Sequence, residues 1–474
     1  MPAGAATYAS DGEFEHRLSD RLASLTFSDI PAPLVEQAKL FVLDAFGVMA
    51  GAAGAPAIGE LRQSIGAWES GGRATLLLEG RRASPASAAL ANGTAAHALD
   101  FDDQHDPARI HTLCTVLPAV LAASEDLGAV SGRSLLTAII VGAEFACRMG
   151  LCCPRSLEHG CHPTAALGGL AAAAGAARVY GLGPREMQNA LSLAFVQMSG
   201  TTQSNIDGAL TKRMGAGFAA RNGVLSAHLA RGGLGGPRRF LTGDAGLFRI
   251  HQRGDVRPEA LLEGLGDAWA LADLSLKPFP CCRASHAAIQ VGLELHAQGI
   301  GPESVEAIEV RLGRVNWLMV GGAFAPEDGN PVVHAQFNLA YCFAQAMLTG
   351  TVDLETFMPQ AILSADRGFV QRIRCLEAAE IDADSVAAVE VNLKMRDGRT
   401  DCRRRSTVKG SPQDPMTRAE TISKFRSCVA FGAGLGASDT DRFVERVLAL
   451  DTLPGLDALI AEFPARRDRF AARL

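Results

Sequence analysis

Along residues 31–270 the apolar positions recur at close to 3.6 residues, the period of helices packed on one face. PAPLVEQAKLFVLDAFGVMAG places Leu34, Ala38, Phe41, Val42 and Phe46 on that spacing, with Pro33 early and Gly51 late. Proline near the start and glycine near the end are the positions each residue favours in a helix. PREMQNALSLAFVQMSG (184–200) and GAGFAARNGVLSAHLARGG (215–233) repeat the pattern. After Leu276 the period changes. VEAIEVRLG (305–313) and VAAVEVNLKMRDG (386–398) alternate apolar and polar residues, as half-buried strands do. Between them FNLAYCFAQAMLTG (337–350) reads as a helix stopped by glycine, and GSPQDPMTRAETISKF (410–425) punctuates a return to helix. The expected fold is mainly α: an all-helical domain built from residues 1–273 and 409–474, interrupted by an α+β domain of residues 274–408.

Composition narrows the function classes. A chain of 474 residues exceeds one hydrophobic core, which agrees with two domains. Hydrophobic residues make up 48% and charged residues 20%, with 50 glycines, and runs such as GGLAAAAGAAR (168–178) favour close helix packing. The net charge of −6 is spread along the chain. There is no basic stripe interleaved with aromatics, so nucleic acid is not an expected partner. The apolar runs at 113–123 and 135–146 are too short or interrupted to span a bilayer, and no membrane association is expected. The start of the chain lacks a basic stretch followed by an apolar one, so no secretory leader is expected. Eleven cysteines show no CxxC spacing and form two adjacent pairs, Cys152–Cys153 and Cys281–Cys282. Reduced, mostly buried thiols of a cytoplasmic protein are the expectation.

The densest chemistry lies in LDFDDQHDPARIH, which gathers Asp100, Asp102, Asp103, His105, Asp106 and His111. Three readings compete. DDQHD resembles the DDxxD pattern that holds magnesium and diphosphate in helical terpene synthases. Against this, aromatics are only 6% of the chain, too few to shelter carbocations, and Pro107 points to a loop. A metal held by His105, His111 and an aspartate lacks the tight ligand spacing of known motifs, and HGCH (159–162) is equally ambiguous. GAGLGAS (432–438) has no preceding strand and so fails as a dinucleotide site. The third reading is proton transfer around an anionic substrate. It finds His162 before a proline at a helix start, Lys212 and Arg213 just before another, and Lys277, Arg283 and His286 around a rigid Pro-x-Pro turn where the two domains meet.

Ordered blocks from about residue 35 to residue 430 carry a resemblance. NGTAAHALDFDD with HTLCTVLPAVLA, GCHPTAALGGLAAAAGAARVYGL, TKRMGAGFAARNGVL, LKPFPCCRASHAAI and AQFNLAYCFAQAMLTG together resemble the MmgE/PrpD family, whose members act on small carboxylates such as 2-methylcitrate, cis-aconitate and iminodisuccinate. The resemblance implies a large helical domain, a smaller α+β lid, a homodimer, and an active site in the interdomain cleft with no metal or organic cofactor. It carries the family's site onto Asp100, His111, His162, Lys212, Lys277 and Tyr341. Gly215 and Cys282 stand where relatives carry histidines, a change that reshapes the pocket.

These residues define the expected mechanism. Lys212, Lys277 and Arg283 hold carboxylates and offset charge that develops beside them. His111 is the first choice of acid or base and His162 the second. Asp100 or Asp103 orients the imidazole, and Tyr341 donates a proton from the closed lid. Asp103, Gln104, Cys282 and His286 complete the substrate-binding set, whereas His105 and Asp106 are expected to be loop. The expected activity is that of a cofactor-independent lyase, of dehydratase or decarboxylase type, on a di- or tricarboxylate. An epimerase of a dicarboxylate such as iminodisuccinate is the alternative, and a non-catalytic binding protein is the least favoured.

Overall fold

The computed structural model describes residues 12–465; the first 11 residues, on which part of the leader expectation rests, lie outside them. Helices predominate, as the 3.6-residue pattern requires. Ala32–Gly51, Pro85–His97, Leu113–Leu127, Gly132–Cys152, Pro163–Val179, Pro184–Val196 and Thr211–Arg231 form one body. Arg418–Ala433 and Ala437–Leu448, from the other end of the chain, pack onto it. Its core runs from Leu18 to Leu276 and resumes at Phe425 through Phe463, with Leu354 reaching in. Pro184 and Pro163 open their helices, where a missing N–H costs nothing.

The small residues in these helices set how closely they cross. A Cβ on Gly217 would sit 2.4 Å from the Leu90 carbonyl oxygen, and one on Gly93 would sit 3.0 Å from the Gly217 Cα. Only glycine permits that approach. It seats the helix bearing Lys212 directly against the helix that leads into Asp100.

The helix Gly132–Cys152 is longer than its apolar run implied, and by length and composition it could cross a membrane. Instead it is buried in this body. Arg148 pairs with Glu144 at 2.5 Å and donates to the carbonyls of Ala260, Glu263 and Ala268.

Residues 281–408 build a second core around a four-stranded sheet. The strand order is Ile373–Glu377, Val305–Leu312, Val389–Met395, Thr400–Arg405. The first pair is parallel and the other two are antiparallel. The two central strands are the ones whose alternation is visible in sequence, because Ile308, Val310, Val391 and Leu393 face a core. The outer strand TDCRRR buries no apolar row and so shows no such signal. Helices His286–Ala297 and Leu339–Thr349 pack on the sheet. All eleven cysteines are free thiols, and eight of them are buried.

Where the chain leaves the first body, Gln104 and His105 pair with Ser275 and Leu274 in a short ladder, and the Leu276 N–H donates to the carbonyl of Gly410, just past the point of return, at 2.9 Å. A buried ion pair ties the chain ends behind this junction. Lys424, on helix Arg418–Ala433, lies 2.7 Å from the Asp44 carboxylate of helix Ala32–Gly51. Removing one member strands a buried charge, so Lys424→Met is expected to destabilise by about 3–5 kcal/mol. The double variant Lys424→Met/Asp44→Leu is expected to recover part of that loss. Urea midpoints of the variants measure both, and equal losses for single and double variants contradict the pairing.

Candidate active site

The stretch Leu99–Asp103 leaves the end of helix Pro85–His97 and turns with Asp100 in the left-handed region, at φ 51°. A non-glycine residue holds that conformation only when its surroundings determine it. Here they do, because side chains from distant segments bind four of the stretch's carbonyls. Gln336 donates to Leu99 O at 2.7 Å, Lys277 to Asp100 O at 2.9 Å and Lys424 to Phe101 O at 2.7 Å. The fourth is Asp103 O, which accepts from His111 Nδ1 at 2.6 Å.

The Asp100 carboxylate lies between two ammonium groups. Lys212 Nζ donates to Oδ1 and Lys277 Nζ to Oδ2, the latter at 3.2 Å. All three residues are buried. Burial alone would raise the carboxyl's pKa, but the two lysines hold it well below the usual range. Burial likewise works against the Lys277 charge, and Asp100 and Asp102 more than restore it, leaving its pKa raised.

His111 is fixed as a base. A carbonyl can only accept, so the proton sits on Nδ1 and Nε2 carries a lone pair. Burial, reinforced by Lys277, His97 and Lys212 against the pull of Asp102, lowers its pKa to about 3. His97, absent from the expected set, packs edge-on to His111 with ring centroids 4.8 Å apart. Its Nδ1 lies 2.7 Å from Asp102 Oδ2, and the same oxygen lies 3.4 Å from His111 Nδ1. His162 opens helix Pro163–Val179 with its ring 6.1 Å from that of His97. Burial and then the Lys212 charge hold His162 neutral.

Eight of the expected residues line one cavity of about 40 Å³: Asp100, Gln104, His111, His162, Lys212, Lys277, Cys282 and Arg283. Arg109 joins them, and Leu157, Met319, Phe337 and Val386 supply apolar wall. Burial and the Asp100 charge push the Cys282 thiol up to about 12. The Lys212 ammonium lies 4.9 Å from the Phe337 ring centroid, a favourable cation–ring contact. Two helices, Pro163–Val179 and Thr211–Arg231, begin at this cavity, where their exposed N–H groups favour anions. Lys212 therefore stands in the first turn of its helix rather than before it.

Three expected residues lie elsewhere. Tyr341 is enclosed by Phe324 and Phe357, and its hydroxyl donates to the Thr356 carbonyl at 2.6 Å. From the second body the cavity is faced by Cys282, Arg283, Phe337, Val386 and Met319, the last on helix Arg314–Val320. His286 is turned toward the Cys281 carbonyl, 3.2 Å from its Nε2. Asp103 is occupied in starting helix Leu113–Leu127, accepting from the Thr112 hydroxyl and from the Thr112 and Leu113 N–H groups. Burial and the Asp102 charge nonetheless push its carboxyl up to about 7.

Asp106 lies in a loop as expected, and its side chain grips Arg283 at 3.1 Å and accepts from the Ser275 hydroxyl at 2.8 Å. Arg213 turns away from the cavity to Gln336. His97 had one signal in the sequence, a histidine on the helix end five residues before Asp102. Arg109 had none, since its position depends on loop geometry.

Metal binding fits this site poorly on donor chemistry. His97, Asp100 and His111 bring donor atoms within 4.8 Å of one another, as do His97, Asp102 and Cys114. Asp100 already faces two ammonium groups, which would repel a dication. Burial and the charges of Asp102 and Asp103 raise the Cys114 thiol well above its ordinary range, so it stays protonated.

The buried histidines predict how stability depends on pH. His97, His105, His111, His162 and His286 all have lowered pKa values, with burial the first cause in each. A histidine kept neutral in the native state takes its proton on unfolding, so stability falls as pH drops below about 6.5. Asp103, raised to about 7, acts in the opposite sense, as does the raised Asp44, and together they offset part of this. Urea unfolding from pH 7 to pH 4 is expected to show falling stability. The slope should flatten by about 1.4 kcal/mol per pH unit in His111→Gln. An unchanged slope contradicts a neutral native His111.

The MmgE/PrpD N-terminal domain matches residues 16–259 and the MmgE/PrpD C-terminal domain matches residues 279–450. A cis-aconitate decarboxylase-like protein, oryM, of Aspergillus oryzae is 27% identical over 95% of this chain and 97% of its own. Cis-aconitate decarboxylase of Aspergillus terreus is 28% identical over 92% of this chain and 93% of its own. Cis-aconitate decarboxylase of Mus musculus is 27% identical over 83% of this chain and 82% of its own. With both domain models matched in order along most of its length, the chain belongs to the MmgE/PrpD family.

Proposed function

We propose that the protein is a lyase acting on a small di- or tricarboxylate, with a cleft closed by the α+β body as a lid and with proton transfer by His111. The observation that carries this reading is the Nδ1-protonated, neutral His111 beside Asp100 and its two lysines. The relatives named as cis-aconitate decarboxylases support the carboxylate chemistry. Four cations, Lys212, Lys277, Arg109 and Arg283, line the cavity, while Asp100 is the one carboxylate among its lining residues and Asp106 faces Arg283. That imbalance favours an anionic ligand.

In this reading one substrate carboxylate displaces or shares Asp100 at Lys212 and Lys277. His111 Nε2 removes a proton from the carbon beside it. The C–H electron pair forms the new double bond as the bond to the leaving hydroxyl breaks. Protonated His111 returns its proton to the departing oxygen on the same face, giving water and regenerating the base. The lysines offset enolate-like charge during the transfer. Asp102, paired with His97, lies close enough to stabilise the transient imidazolium. Tyr341 has no part in this scheme.

Loss of carbon dioxide is the second reading, favoured by the names of the relatives. It needs His111 to begin protonated, which its resting tautomer and burial oppose. An epimerase needs proton carriers on opposite faces of one carbon. Here His111 and His162 both come from the helical body, and the second body offers Met319, Phe337, Val386, the Arg283 guanidinium and the Cys282 thiol, whose proton burial holds. The functional unit is proposed to be a cytoplasmic homodimer.

Incubating the protein with 2-methylcitrate, citrate, cis-aconitate and iminodisuccinate in deuterated water, followed by NMR, tests the proposal. Loss of water without carbon dioxide supports the elimination, and labelled bicarbonate supports decarboxylation. Deuterium at the α-carbon without either loss supports the epimerase, and no change in any substrate contradicts the lyase. Where turnover is found, His111→Gln is expected to lower kcat by about 10²–10⁴-fold with the fold intact by circular dichroism. Near-normal rates remove His111 from the chemistry.

A further inference from the structure

Arg109 sits where the small cavity meets a larger chamber. It lines the cavity of about 40 Å³ and also a chamber of about 510 Å³ bounded by Pro154, Arg257, Asp384 and Gln413. Val386 and Arg109 are common to both. The inner cavity has room for about three waters by the volume one water needs, less than a dicarboxylate occupies. The two bodies must therefore separate to admit substrate through the outer chamber, and what crosses the gap at Arg109 controls that movement.

Two features set Arg109 apart from the other cations of the site. Lys212 and Lys277 share Asp100, and Arg283 has Asp106. Among the described residues, Arg109 has no carboxylate within ion-pair distance. Its hydrogen-bond partners are neutral and belong to the other body: Nη1 donates to Asn316 Oδ1 at 3.2 Å and Nη2 to the Ala383 carbonyl at 2.9 Å. Asn316 is itself anchored, donating to the carbonyls of Ser385 and Val386. The Arg109 backbone lies in the left-handed region, φ 51°. Burial lowers its pKa, the mark of a charge whose surroundings do not fully compensate it.

A guanidinium carries five N–H donors in a planar fork. Two are used on the partner body, and three remain. We propose that Arg109 binds a second carboxylate of the substrate and, through Asn316 and Ala383, makes closure of the cleft depend on that carboxylate. It is then the specificity-determining residue that selects di- and tricarboxylates over monocarboxylates. The inference rests on the carboxylate-lyase reading of the same site and deepens it. The first carboxylate engages Lys212 and Lys277 at the base of the cavity, and the second engages Arg109 at its mouth. The ligand thus spans the two bodies, and closing the cleft costs a dianion less than it costs a monoanion.

Calorimetric binding of tricarballylate, succinate and butyrate to wild type, Arg109→Met, Arg109→Lys and Lys212→Met tests this. Wild type is expected to prefer tricarballylate and succinate over butyrate. Arg109→Met is expected to weaken the first two about 10- to 100-fold, the loss of a charge-assisted pair, and to leave butyrate unchanged. Arg109→Lys keeps the charge without the fork and is expected to fall between. Lys212→Met is expected to weaken all three. If both Arg109 variants fold and retain the wild-type preference, the inference is overturned. If Arg109→Met fails to fold, the lysine variant decides alone, and wild-type discrimination in it overturns the inference. If wild type binds none of the three, the carboxylate reading itself is overturned.

Discussion

The site depends on one buried carboxylate held between two buried ammonium groups. Asp100, in a strained backbone conformation, accepts from Lys212 and Lys277. Each lysine arrives on a different segment, one at the start of helix Thr211–Arg231 and one at the junction between the bodies. Removing Asp100 leaves two buried ammonium groups without their carboxylate in a medium of low polarity, a loss much larger than that of an exposed pair. The ion triad therefore fixes the relative position of three chain segments before any substrate is present. The Leu99–Asp103 carbonyls extend the same arrangement, since Gln336, Lys277, Lys424 and His111 are all anchored on them.

From that constraint the chemistry follows. Because Asp103 offers its carbonyl to His111 Nδ1, the lone pair is left on Nε2; because the ring is buried among lysines, it stays neutral. The Asp102–His97 pair stands behind it, so that a proton gained by His111 meets a compensating negative charge. The histidines of the cavity are on the helical body, and the other body contributes apolar surface, Cys282, Arg283 and acceptors for Arg109. His111 and Arg109 both stand on the helical body, two residues apart, and Arg109 reaches across to Asn316 and Ala383 of the other.

The sequence was most readable where one period dominates. Helices such as Ala32–Gly51 and the central strands Val305–Leu312 and Val389–Met395 carry a buried face that writes its spacing into the residues. The outer strand Thr400–Arg405 carries none. Site residues were legible where they sit in compact blocks, as Asp100, His111, His162, Lys212 and Lys277 do. Tyr341 was misleading because a tyrosine on a helix of the right body can point into its own core, and nothing in the linear pattern gives that direction. His97 and Arg109 were missed for the converse reason: their importance comes from a ring contact and a reach across the cleft, both properties of the folded chain. Asp106 reads as part of a polar loop until Arg283, distant in sequence, is brought against it.

The claim on which the rest stands is that His111 is a neutral, Nδ1-protonated base in the native protein. Long-range nitrogen–proton correlation NMR on protein labelled at its histidine ring nitrogens, with His111→Gln for assignment, measures this directly. At pH 7 the His111 signals are expected to show a protonated Nδ1 and an unprotonated Nε2, and this pattern should persist as the pH is lowered to about 4. A His111 that carries its proton on Nε2, or that titrates near the ordinary histidine value of about 6.5, would contradict the account.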